Sequence, residues 1–433
     1  MSTQPGVIKT AVIVGFAIFA MLFGAGNIIF PPYIGVVAGE SWFLGFVAYF
    51  VADIGLAIMA ILALLTSNTI DRFESIFTRL GPITSRVFTG GIMLSVCYLA
   101  GPRTCTVSYE LGVVPVAGEN LPLWVYSIAY FVVAWLFCVR ESKMIDYIGK
   151  YLTPALVIGL IGLIIVGFVS PLGPTDTPPK IDNVWYMGLM SGYQTMDCAA
   201  AVICGYIVAQ DLTNKGYATV QAKIRAIVYA SGIVGLLMFI VYGGLCYIGA
   251  TASTIYDVDV QHGRLVVSIF QSLLGYGGSV FLGLVVALAC LSTGTALAGA
   301  SATFLVKVSN NRLKYNVVVT LICFSFALIA NIGLSNILTI AVPVILVLFP
   351  SFLTMVILGL FDGKIKNANI YKISVGFVFT YSFLEVMKNY GVEFANVIEV
   401  LPLQEHGFGW FFPAVFGAGL GFFIKPRVED NLQ

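Results

Sequence analysis

The chain has 433 residues, 59% of them hydrophobic and only 10% charged. A soluble domain carries about 25% charged residues, so this composition excludes an ordinary soluble protein and specifies one that crosses a bilayer many times. The formal net charge of +1 leaves no basic footprint for nucleic acid.

A membrane-spanning helix needs about 20 apolar residues. Twelve runs of this kind follow one another, near 9–38, 42–65, 84–113, 122–139, 151–172, 184–209, 222–249, 278–306, 315–331, 335–361, 370–387 and 407–425. The N-terminal run does not have signal-peptide order and is expected to be retained. The cations set the orientation. With the N-terminus inside, every Lys and Arg among the 22 falls on the cytoplasmic side except Lys180, Arg264 and Lys388, with Arg103 inside or at the edge of run three. Both termini are then cytoplasmic. The longest outer connections are 173–183, 250–277 and 388–406, and His262 to Leu274 can form a short helix on the membrane face. The eight cysteines lie mostly in apolar runs, and only His262 and His406 accompany them, which points away from zinc or a disulfide framework. The chain reads as one transporter domain.

Run one contains Phe23-Gly24-Ala25-Gly26-Asn27-Ile28-Ile29-Phe30-Pro31-Pro32, poor content for an unbroken helix. In hydrocarbon, backbone groups freed by a break need protein, water or a ligand as partners. Unwinding at Gly24-Ala25-Gly26 exposes carbonyls that suit a cation and N–H groups that suit a carboxylate, and Asn27 adds a side-chain oxygen. Run six carries Ser191-Gly192-Tyr193-Gln194-Thr195-Met196-Asp197. Asp197, an acid inside a span, is expensive and functional by default; it can bind an ion, receive an amine or cap backbone. Runs one and six are five spans apart, so two five-helix units of opposite orientation would place both breaks near the midplane, the arrangement of a transporter site. Ser292-Thr293-Gly294-Thr295 in run eight offers hydroxyls for sodium, although such hydroxyls often bond back to their own helix. Arg103 and Glu110, seven apart, can share a helix face as a structural or gating pair, with Gly101-Pro102 as a kink or helix end. Asp53 can serve a proton path or pair within the bundle. Pro343 and Pro350 in run ten mark a kink. Phe23, Tyr98 and Tyr193 are candidates to line a pocket.

These motifs, with Gly101 to Glu110 and Val342 to Pro350, resemble the bacterial branched-chain amino acid:cation symporters, the BrnQ-type carriers of LeuT-like fold. The resemblance covers most of the chain. It implies an all-α polytopic membrane protein of twelve helices with a five-plus-five inverted repeat (halves about 9–172 and 184–361, two extra helices about 370–425) and broken helices one and six. It implies a symporter, not an enzyme, in the bacterial plasma membrane, importing leucine, isoleucine and valine with sodium by alternating access. The substrate would meet Gly24, Ala25, Gly26, Asn27, Gly192, Tyr193, Gln194, Thr195 and Asp197. Sodium would lie between runs one and eight, on the carbonyls of Ala20 and Phe23 and the hydroxyls of Ser292 and Thr293. A second sodium beside the substrate would use Asn27 and Thr195. Proton-driven relatives can carry a lysine on span five; here none follows Lys150 through Gly167, which favours sodium. The alternatives are a proton-coupled carrier of the same fold, or one for another amino acid or a nucleobase.

Overall fold

The computed structural model describes residues 7–66, 75–140, 147–217, 219–404 and 407–424, and among these the chain is helical with no strand. His406 lies outside the described residues, as do Arg72, Lys143, Lys425 and Arg427 among the cytoplasmic cations counted above, and both termini. Seven helical stretches are long and apolar enough to cross a membrane, or eight if the bent pair Val184–Thr195 and Asp197–Asn214 counts as one.

The two longest of the seven each divide at a glycine. Ala25–Leu65 has 41 residues, roughly 60 Å at about 1.5 Å per residue, against a hydrocarbon core of about 30 Å. It divides at Gly39, whose φ of 51° needs glycine. His262–Val308 has 47 residues and divides at Gly275, with φ 63° and ψ −152°. Four shorter apolar helices, Ile8–Leu22, Leu123–Cys138, Tyr315–Ala330 and Phe411–Phe423, complete the set of apolar segments.

The first of these helices, α1 (Val7–Leu22), stops two residues before α2 (Ala25–Ala38). The prolines expected to help break this run do not. Pro31 and Pro32 lie inside α2, while the break falls upstream at Gly24, which has extended φ −115° and ψ −154°. Next come α3 (Trp42–Phe50), a π-helical turn over Val51–Gly55, and α4 (Leu56–Thr66). A π turn inserts one extra residue into a helix, and this one carries Asp53. The following helix, α5 (Pro82–Ser108), runs straight through Gly101-Pro102, so neither residue ends it. Gly101 is needed there because a side chain would collide with the Phe326 ring. A second π turn, Tyr109–Val113, leads into the short α6 (Val114–Ala117). Then follow α7 (Leu123–Cys138), a π turn over Ile148–Leu152, α8 (Thr153–Val169), α9 (Val184–Thr195) and α10 (Asp197–Asn214). Between the last two, Met196 sits in the left-handed region at φ 67° and ψ 14°, and the axes bend by 40°. A non-glycine residue there is strained unless its surroundings hold it.

The remaining helices are α11 (Val220–Thr251), α12 (His262–Val308), α13 (Tyr315–Ala330), α14 (Leu334–Leu360), α15 (Ala368–Asn389) and α16 (Phe411–Phe423). The helix of α14 continues through Pro343 and Pro350. Helices α1 and α2 pack on α11, while α9 packs on α3 and α10 on α4. The α2–α11 crossing is very close. A methyl on Gly249 would stand 2.8 Å from the Pro32 carbonyl carbon, and one on Gly35 would stand 2.6 Å from the Ala250 nitrogen. Small residues at such crossings allow backbone-to-backbone packing, which drives helix association in lipid. All eight cysteines are buried and unpaired, as small hydrophobes are.

Candidate substrate and ion site

The break after α1 has a direct consequence. In a continuous helix the Ala20 carbonyl would accept from Gly24 N–H. Instead the Gly24 N–H donates to the Asn27 side-chain oxygen at 3.2 Å. The freed end of α1 faces α12. Ser292 Oγ lies 2.9 Å from the Ala20 carbonyl and 2.8 Å from that of Ala289. Thr293 Oγ1 lies 3.1 Å from the Ala20 carbonyl and 3.2 Å from the Phe23 carbonyl. A hydroxyl has one proton. The two hydroxyls therefore cannot donate fully in all four approaches at once, which leaves oxygen facing oxygen without a full proton bridge in some of them. The groups are buried: Ser292 is 0% and Thr293 8% exposed. An oxygen set of this kind, without thiolate or imidazole, suits a hard cation. Ala20, Phe23, Ser292 and Thr293 are thus brought together.

Asn27 organises the second cluster. Its Nδ2 donates to Asp197 Oδ2 at 2.7 Å and Asp53 Oδ2 at 3.3 Å, and it also reaches the Tyr242 hydroxyl. Thr195 Oγ1 donates to Asp53 Oδ1 at 2.8 Å and lies 2.6 Å from the Gly192 carbonyl. One asparagine side chain therefore joins the break after α1 to the break after α9, through carboxylates on α10 and on the π turn between α3 and α4. Asp53 and Asp197 are 0% and 5% exposed. The strain at Met196 is held at this junction.

Between the breaks lies a cavity of about 20 Å³, lined by Gly24, Ala25, Asn27, Thr195 and Asp197, with Arg103, Thr104, Thr293 and apolar side chains such as Leu22, Val96 and Leu297. That volume holds about one water. An amino acid enters only if the walls move. Gly26 stands beside Arg103 Nη2. Gly192 is not brought to this cavity: it faces Ala52 and the Tyr49 carbonyl, where only a glycine fits. Tyr193 and Gln194 instead line a separate cavity of about 920 Å³, together with Phe349, Pro350, Glu385 and Trp410. Phe23 is fully buried, stacked between Phe19 and Tyr242, and Tyr98 packs on Phe326, while Tyr193 lines the 920 Å³ cavity.

Three residues matter more than their sequence context indicated. Asp53 and Arg103 were visible as charges within apolar runs, the signal of function in a membrane, but their partners were not. Tyr242 carries no such signal. Arg103 and Glu110 do not pair. The π turn at Tyr109–Val113 alters the helical register between them, and Glu110 is exposed while Arg103 is buried.

Known proteins place this geometry in a family. A branched-chain amino acid permease of Bacillus subtilis is 31% identical over 426 residues, 96% of each chain. A branched-chain amino acid transport system 3 carrier protein of Pseudomonas aeruginosa is 32% identical over 416 residues, 93% of this chain and 92% of that one. Among solved structures, a sodium-coupled sialic acid symporter aligns over 96% of this chain and 90% of its own, with TM-score 0.61 and 12% identity. MhsT in complex with L-phenylalanine aligns over 94% and 97%, with TM-score 0.57 and 14% identity. At such identities the likeness is one of fold alone. The protein is an integral membrane transporter, not an enzyme. The model of the branched-chain amino acid transport protein family matches residues 8–428, and the chain belongs to that family.

Proposed function

We propose that the protein is a secondary active symporter that imports leucine, isoleucine and valine across the bacterial plasma membrane together with sodium. Its twelve spans form two inverted five-helix units plus two further helices, with both termini cytoplasmic. The reciprocal packing of α1 and α2 on α11, and of α9 and α10 on α3 and α4, supports a two-fold relation between the units. The observation that carries the reading is the convergence of the Ala20 and Phe23 carbonyls with the Ser292 and Thr293 hydroxyls at 2.9–3.2 Å across the α1–α12 junction. Sodium bound there would tie α1 to α12 in the state that receives substrate. Substrate in turn must tighten sodium binding, since coupling is reciprocal.

Charge balance supports a cation partner. Asp53, Asp197 and Arg103 are all buried; with both carboxylates ionised they would leave one formal negative charge, which a neutral zwitterion does not cancel and a monovalent cation would. The amino acid would lie between the breaks, against Gly24 to Asn27 and Thr195 to Asp197, its aliphatic side chain among the apolar wall residues. Selection per methylene in such a pocket is worth only about 1–3 kcal/mol, so related aliphatic amino acids should compete. Asn27 and Thr195 are engaged by carboxylates, and the reading therefore places one sodium, not two.

A second reading, with a proton as coupling ion, has a specific seat in the Asp53–Asp197 pair. Against it, Lys150 is exposed rather than inserted at the α1–α12 junction. The test is the sodium dependence of leucine uptake at fixed pH, in the wild type and in Ser292→Ala with Thr293→Ala. The double variant should need at least about 10-fold more sodium for half-maximal uptake. An unchanged sodium response would remove both hydroxyls as ligands. Competition by unlabelled amino acids and nucleobases in the same assay identifies the solute.

A further inference from the structure

We propose that the Arg103 guanidinium is the receptor for the carboxylate of the transported amino acid, acting with the amides at the N-terminus of α2. The inference rests on the amino acid reading above and names the residue that would give it chemical class.

Arg103 is 7% exposed, on α5, in the interior of the bundle. Among the described residues its one hydrogen bond runs from Nη1 to the Gln194 carbonyl at 3.3 Å. A guanidinium has five N–H donors, so most of its capacity is unspent. It forms no ion pair there. Asp197 acts on it electrostatically, but that carboxylate is already held by Asn27. Glu110 is exposed and acts with Arg264 instead. A buried charge without an ion-pair partner is costly, which makes this one poised for an anion from outside.

The direction of the side chain supplies the second observation. Nη2 would stand 3.3 Å from a Cβ at Gly26. Gly26 lies in the first turn of α2, a 14-residue helix with no acidic side chain in that turn. The first N–H groups of a helix have no partners within it and carry the positive end of the dipole. Arg103, the α2 terminus and Asp197 line one cavity. Its wall thus has a cationic pole, made of the guanidinium fork and amides, and an anionic pole at Asp197. The two poles do not neutralise each other in an ion pair. An α-amino acid presents the complementary pair of charges, with carboxylate to Arg103 and ammonium toward Asp197. The planar fork favours a carboxylate over other anions that lack two parallel oxygens. A side chain at Gly26 would press on Nη2 and on the Phe30 ring at 3.3 Å each.

The experiment compares leucine with leucinamide, which replaces the carboxylate by a neutral amide, in equilibrium binding to the full-length protein in proteoliposomes. Wild type should prefer leucine by about 100-fold or more. Charge-assisted hydrogen bonds of the usual strength correspond to about 10- to 150-fold each. Arg103→Gln should reduce the preference to below about 10-fold, chiefly by weakening leucine. An unchanged preference in Arg103→Gln overturns the assignment. If that variant does not insert, Arg103→Lys decides. Loss of the fork should lower the preference several-fold while the retained charge keeps some of it, and full retention overturns the assignment. A wild-type protein that binds neither compound would overturn the amino acid reading itself, an outcome distinct from leucine binding that ignores Arg103.

Discussion

Asp53→Asn is the sharpest perturbation of the network that joins the two helix breaks. The substitution keeps the shape of the side chain and replaces one acceptor oxygen by an NH₂ donor. Asp53 is fully buried and receives Thr195 Oγ1 at 2.8 Å and Asn27 Nδ2 at 3.3 Å. Both partners come as donors. Thr195 can turn its proton to the Gly192 carbonyl at 2.6 Å, but the Asn27 amide has no such freedom, because its oxygen already accepts from Gly24. The new NH₂ is therefore tolerated only on the Thr195 side, and the bond from Asn27 keeps a neutral amide oxygen in place of a carboxylate. Loss of one charge-assisted hydrogen bond costs about 1.5–3 kcal/mol, roughly 10- to 150-fold in an equilibrium constant. We expect the half-saturating leucine concentration in proteoliposomes to rise by about that factor and thermal stability in detergent to fall. Asp53→Ala should be worse, since it removes both bonds to Asp53 and leaves Asn27 only Asp197 and Tyr242, and Thr195 only the Gly192 carbonyl. Thr195→Val should cost less in the Asp53→Asn background than in the wild type, because contacting residues are not additive. Wild-type uptake and unfolding in Asp53→Asn, or full additivity with Thr195→Val, would show that the network does not hold the site.

Further expectations follow from other contacts. Thr293→Val keeps the side-chain volume and removes the hydroxyl near the Ala20 and Phe23 carbonyls; sodium titration of uptake should shift by about 10-fold with leucine affinity at saturating sodium little changed, given about 1.5–3 kcal/mol for an interaction with a charged group. Gly249→Ala pushes a methyl into the Pro32 backbone and should cost about 1–3 kcal/mol as overpacking does, read as a lowered unfolding temperature. Gly232→Ala on the same helix meets nothing within 4 Å and should be neutral or stabilising, since glycine is the poorer helix former by about 1 kcal/mol. Arg79 pairs with Asp362 through bonds of 2.8 and 3.3 Å, which hold the guanidinium above its ordinary range. A base whose pKa is raised on folding contributes stability that is lost only as pH climbs through that range. Arg79→Gln should therefore cost at most about 1 kcal/mol for this partly exposed pair, with no pH step near neutrality and a smaller effect at high salt.

The sequence revealed most of the site's backbone and less of its side-chain wiring. Glycine, asparagine and an internal acid marked both breaks because their cost in hydrocarbon is large and local. The first break falls at Gly24, within the Gly24-Ala25-Gly26 stretch where unwinding is expected, while α2 accommodates Pro31 and Pro32, which contribute nothing to the break. Arg103 and Glu110 were paired by a seven-residue spacing that assumes a regular helix, and a π turn removes that regularity without a residue signature. Tyr242 is an aromatic in an apolar run until folding brings it to Asn27, 215 positions away. Gly192 looked like part of a binding motif but is held by packing against α3. Spacing on one helix is legible; contacts between distant helices depend on the packing that brings them together.

Sodium-driven accumulation is the most direct measurement. Purified protein in liposomes, with equal pH on both sides and an inward sodium gradient, should concentrate leucine above its external level. Replacing external sodium by choline should abolish that accumulation. Equal accumulation in choline would contradict sodium coupling, and a requirement for an inward proton gradient in its place would move the coupling ion from the α1–α12 junction to the Asp53–Asp197 pair.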